Sequence, residues 1–113
     1  MINELTETKK ELARLLTNLG LYYELRKCDG EQLKRYLLDH YDIFLHITHW
    51  QKHDGPEDVY NRDGWHYDVI YLKENDNCVS QDLQVYPTYD DVLYNGLVES
   101  FAFVSLNELQ QNP

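Results

Sequence analysis

The sequence predicts an α+β domain in which a three-stranded, mostly antiparallel sheet carries the N- and C-terminal helices on one face. Three observations predict it. Leucines recur at helical spacing near the start, three later segments alternate apolar and polar residues with the period of a strand, and a well-punctuated amphipathic helix closes the chain. At 113 residues the chain is expected to form one domain, 1–113, with 110–113 frayed. Apolar residues make up 42% of it, enough for a modest core, and ten tyrosines suit a thin domain with amphipathic faces.

Leu5, Leu12, Leu15, Leu16 and Leu19 form the stripe of the first helix, with Lys9, Lys10, Glu11 and Arg14 largely on its other sides. Gly20 follows and can take the left-handed conformation that ends a helix, with Leu21 available for the accompanying contact. Residues 21–27 read equally as a short edge strand or an irregular connector. Asp29-Gly30 marks a turn, and Asp29 with Gln32 has capping-box spacing for a second helix lined by Leu33, Tyr36, Leu37 and His40.

From Tyr41 the period changes. Tyr41, Ile43, Leu45 and Ile47 alternate with Asp42, Phe44, His46 and Thr48, which predicts a half-buried strand. Residues 51–64 form a long polar loop, a feature usually functional or mobile in so small a domain. Trp65–Lys73 alternates again, 74–77 is a turn cluster, and Val79–Tyr86 predicts a third strand in a hairpin with the second. Thr88 caps the last helix, Asp90 and Asp91 suit its first turn, and Val92, Leu93, Leu97, Phe101 and Val104 are its stripe. Gly96 lies beside that stripe, where a missing side chain would let the helix approach the sheet closely.

The charge is unevenly placed. Residues 36–113 carry fourteen acidic side chains against three basic ones, a balance of −11 that accounts for the whole net charge of −10. Such a surface repels polyanions, and direct nucleic-acid binding is not expected. Met1–Leu12 lacks the apolar stretch of a signal peptide, and no apolar run approaches the roughly 20 residues that span a bilayer, so a cytoplasmic chain without membrane contact is expected. Cys28 and Cys78 fit neither a disulfide framework nor a CxxC knuckle and read as reduced thiols, with a single bridge as the alternative.

Candidate chemistry is sparse. His40, His46, His49, His53 and His66 invite a metal hypothesis, but His46 and His49 fall on opposite faces of a strand and the spacing is irregular. No metal and no cofactor is expected. The five glycines have no two closer than nine residues, which excludes a glycine-rich phosphate cradle. If odd-numbered strand positions face the helices, then Asp42, His46, Thr48, His66, Asp68, Ser80, Asp82 and Gln84 share the opposite face of the sheet. A His beside Asp there could serve as acid and base, but a solvated antiparallel face is expected to be polar anyway. Phe44, Trp50, Ile70 and Leu72 interrupt that polar face, which favours an interaction surface over a catalytic cleft.

The segment Pro87-Thr88-Tyr89-Asp90-Asp91-Val92-Leu93, followed by Gly96-Leu97-Val98-Glu99-Ser100-Phe101, resembles a "TYEEALxxGLxEAL" ending. That ending is found in small proteins of no assigned activity encoded by phages and mobile regions of gut Bacteroidetes. Those proteins also begin with a helix like Glu4–Gly20 and place an "LxxWL" type helix where Leu33–Leu37 stand here. Val92 stands for the usual Ala and Phe101 for Leu. The resemblance implies a genomic context and no mechanism.

Together these readings lead to the expectation of a non-enzymatic interaction or accessory module of a phage or mobile element. Its surface would be Phe44, His46, Trp50, His66, Asp68, Ile70, Leu72 and Asp82, and its partner another protein or a second copy through Phe44, Ile70 and Leu72. The acidity also raises a second expectation, a mimic of nucleic acid that inhibits a nucleic-acid-binding protein. A small metal-dependent enzyme is a distant third.

Overall fold

A computed structural model of the chain describes residues 4–56, 61–73, 77–81 and 84–107. The elements are α1 (Glu4–Asn18), α2 (Tyr22–Leu25), α3 (Gly30–Tyr41), β1 (Ile43–Trp50), β2 (Gly64–Tyr71), β3 (Asn77–Gln81) and α4 (Tyr89–Leu106). The α+β class expected from the sequence is the class observed. Among the described residues no helix is long and apolar enough to cross a membrane.

Leu12, Leu15 and Leu16 are the buried face of α1. The helix ends at Gly20 with φ 75°, where the Leu21 amide donates to the Leu16 carbonyl at 2.8 Å and the Gly20 amide to that of Thr17 at 3.0 Å. These two bonds satisfy carbonyls that the helix end would otherwise orphan. Residues 21–27 resolve into the single turn α2, neither strand nor irregular connector. Coiling sends the Leu25 amide back to the Leu21 carbonyl at 3.0 Å and buries Leu25 in the core.

At α3 the capping box is formed in both directions. The Asp29 carboxylate accepts from the Gln32 amide, and the Gln32 side chain accepts from the Asp29 amide, each at 2.8 Å. Leu33, Leu37 and Tyr41 are its buried residues. Two expectations need correction here. His40 is exposed, stacked on Tyr36 at 4.1 Å between ring centroids, so it does not line the core side. Tyr41 is the last residue of the helix and not the first of a strand, because it continues the stripe one turn beyond Leu37. Asp42 then breaks the helix with φ 56°, its amide donating to the Leu37 carbonyl, and β1 starts at Ile43.

β1 and β2 pair antiparallel from Ile43↔Tyr71 to Trp50↔Gly64 without a shift. β3 pairs antiparallel with the other side of β2, with a register irregularity between Val69 and Ile70. It ends at Gln81, earlier than alternation through Tyr86 suggests, and Tyr86 makes an isolated bridge to Trp65. Residues 74–76, Asp82, Leu83 and the tail after Asn107 lie outside the described residues.

One face of the sheet is the core. Ile43, Leu45, Tyr67, Val69 and Tyr71 point into it, meeting Val92, Leu93, Leu97, Phe101 and Val104 of α4. α4 lies on β1 and β2, α3 lies on β1 and α4, and α1 takes α4 as its main neighbour. Of the two terminal helices, then, α4 sits on the sheet and α1 is layered behind it, with Lys9 Nζ 4.7 Å from the centroid of the Tyr94 ring. A helix covered on two sides needs a broader buried surface than one stripe. Ser100 accordingly joins the stripe, fully buried, its hydroxyl donating to the Gly96 carbonyl at 2.8 Å. The close approach expected at Gly96 is present: a Cβ there would stand 2.6 Å from Leu45 Cδ1.

Candidate functional site

Of the residues that alternation assigned to the opposite face of the sheet, those of β1 and β2 share it. The β3 register instead pairs Ser80 with core-facing Val69, Asp42 is the C-cap of α3, and Gln84 lies outside β3. No described helix packs over that face. The ladder places Phe44 opposite Ile70, His46 opposite Asp68 and Thr48 opposite His66, with Trp50 at the far end opposite Gly64. Leu72 follows β2 at the near end, its amide donating to the Asp42 carbonyl at 2.8 Å. Cross-strand neighbours lie about 4.5–5.5 Å apart at Cβ, so seven of the eight expected surface residues fall in one patch. The eighth, Asp82, lies outside the described residues.

The patch is divided by chemistry. At one end Phe44 and Leu72 are each 38% exposed beside half-buried Ile70, an apolar corner on an otherwise polar face. At the other end Trp50 lies parallel over His66, with ring centroids 4.1 Å apart and planes 24° apart. Asp68 sits between them. Its Oδ1 is 3.2 Å from His66 Nε2, and its Oδ2 is 3.9 Å from His46 Nδ1. The His46 ring stacks in turn on Phe44 at 5.6 Å. Among the described residues no lysine or arginine forms an ion pair with Asp68, whereas Asp42 pairs with Lys73 at 3.4 Å.

His66 requires a correction. Strand parity places it on a solvated face, yet it is only 2% exposed. Trp50 and the ladder neighbours cover it, because an indole gains more by stacking on a ring than by standing in water. The covered Nδ1 has no hydrogen-bond partner. Covered in this way, the imidazole holds Asp68 through Nε2 and lies against the Trp50 ring.

The other histidines do not converge. His49 sits edge-on to Trp65 at 4.9 Å, and His53 Nδ1 lies 3.1 Å from the Asp54 carbonyl. Among the described residues no three His, Cys, Asp or Glu side chains are grouped to hold a metal ion. Cys28 is a free, half-buried thiol.

Two features escaped the sequence. Asn61, 3% exposed, ties the described ends of the 51–64 loop: its Oδ1 accepts from the His53 amide at 2.9 Å, and its Nδ2 donates to the His53 and Pro56 carbonyls at 3.1 Å each. Asp63 accepts from the Lys52 amide at 2.7 Å. A polar residue in a polar loop gives no sign of such a role beforehand. The second is an open groove of about 460 Å³ between α3 and β1, lined by Lys34, Arg35, Leu38, Phe44 and Leu45 among others. Phe44 belongs to both groove and patch, so apolar surface continues around the edge of the sheet.

No family model matches this chain, and no curated protein or solved structure shows significant similarity to it.

Proposed function

We propose that this chain is a non-enzymatic interaction module whose open sheet face docks another protein. One observation carries the reading: Phe44, Ile70 and Leu72 form an outward apolar corner on a sheet face with no described helix across it. Exposed apolar groups set beside polar ones are a common property of docking surfaces. The burial of His66 supports the non-enzymatic part, since the closer of the two His–Asp contacts on this face lies under Trp50, and the other, His46 to Asp68, is the longer at 3.9 Å. The likeness of the last helix to proteins of phages and mobile elements supports an accessory role within such an element, in the cytoplasm.

Nucleic-acid mimicry is the lesser reading. It calls for a contiguous stripe of free acids, and several of the described acids are engaged singly: Asp42 with Lys73, Glu31 with Lys34, Asp63 with a loop amide and Asp91 with the Thr88 hydroxyl at the α4 cap.

The test compares complexes recovered from cell lysate by the wild-type chain and by a Phe44→Asp, Ile70→Asp variant of equal helicity. The reading expects protein partners held by the former and lost by the latter. Equal recovery by both removes the open face from the function.

A further inference from the structure

The chemistry of the open face says more about its occupant than apolarity does. Asp68 is a carboxylate in the middle of the patch, its side chain 21% exposed, with two imidazoles and no described lysine or arginine beside it. A partly buried anion without a fixed cation favours one brought from outside. Aromatic rings lie to either side of it, Phe44 against His46 and Trp50 against His66. A planar guanidinium can pair with a carboxylate and stack on such rings at once, which a compact ammonium does less well.

A second copy of the chain does not supply that group. Lys73, next to Leu72 in the chain, is already paired with Asp42, and two chains of net charge −10 repel each other. The same charge steers a cationic partner toward this chain from a distance.

We infer that the open sheet face docks a cationic protein segment that offers an arginine to Asp68 and seats apolar side chains on Phe44, Ile70 and Leu72. This rests on the docking role proposed above and names its partner class.

The test titrates the full chain, at low salt and up to millimolar peptide, with short synthetic peptides alternating leucine with arginine, serine or glutamate, and with oligoarginine. Tryptophan fluorescence and amide chemical shifts are the readouts. The leucine–arginine peptide is expected to bind at the face, to weaken as salt rises, and to bind about tenfold more weakly to Asp68→Asn and to Phe44→Ala. Asparagine keeps an acceptor for His66, so Asp68→Asn removes charge without removing that bond. Equal binding of the leucine–serine peptide, lost in Phe44→Ala, overturns the arginine inference and leaves the docking role standing. Oligoarginine binding as tightly, indifferent to Asp68→Asn, overturns it as undirected acidity. A dimeric mass in light scattering that Phe44→Asp makes monomeric overturns it in favour of a second copy. Failure of every peptide, with a monomeric chain, removes both readings.

Discussion

His66 shows how much one residue's surroundings differ from its position in a pattern. Its place in the alternation is that of a solvent-facing residue, and its ring is nevertheless sealed under Trp50 with Nδ1 unpaired. Removing the ring leaves a hole beneath the indole, so His66→Ala is expected to lower stability by about 2–4 kcal/mol. Urea unfolding checks this, and a red shift of tryptophan emission should accompany it. His66→Phe keeps a ring for the stack and removes the unpaired nitrogen, while water can replace the donor at partly exposed Asp68. Its stability should therefore stay within about 1 kcal/mol of wild type. A phenylalanine variant as unstable as the alanine one would show that the bond to Asp68, and not the stack, is what His66 contributes. Asn61 makes the same general point, since three bonds from one buried amide organise a loop whose composition reads as featureless.

At the scale of elements, local signals and packing signals can be tested separately. Asp29 and Gln32 write the start of α3 in four residues, because a capping box needs no distant partner. Asp29→Ala should cost about 1 kcal/mol in chemical denaturation, leaving the fold intact. Gly96 is a packing signal. Alanine there would gain about 1 kcal/mol of helix propensity, but its methyl would press on Leu45, which is 1% exposed and has little room to move. Overpacking of this kind costs about 1–3 kcal/mol, so Gly96→Ala should give a net loss of about 1 kcal/mol with an unchanged denaturant slope. A stabilised variant would mean that Leu45 can turn away. Both signals were legible in the sequence. The short helix α2 was not, because Leu21 and Leu25 reveal their turn through burial in a core formed by other elements.

For the whole molecule, the tyrosines link pH to folding. Burial is the main cause that pushes the Tyr36 and Tyr89 hydroxyls up to about 12, with Tyr41 and Glu24 beside the first and Glu31 and Asp90 beside the second. Burial likewise raises Tyr41 and Tyr94. A folded state that holds these protons more tightly than the unfolded chain has its full stability below about pH 10, the usual tyrosine value, and loses it as pH rises toward about 12. The urea midpoint should therefore fall steadily across that interval, with tyrosinate absorbance growing as the chain unfolds. Tyr89→Phe should blunt the fall. That ring spans α3 and α4 through its bond to Glu31, so the loss belongs to the helix layer and leaves the open face of the sheet unaffected.

The sequence by itself determined the class, the caps and the two faces of β1 and β2, because each follows from spacing or from bonds within a few residues. Seven of the eight residues expected on the open face are described, and they fall in one patch, since strand parity is a local property. Only tertiary structure decided that α1 lies behind α4, that α3 ends on Tyr41, that Trp50 closes over His66 and that Asp68 has no lysine or arginine paired with it among the described residues. These depend on which surfaces meet across the chain, and meeting is settled by the free energy of burial, which no local pattern contains.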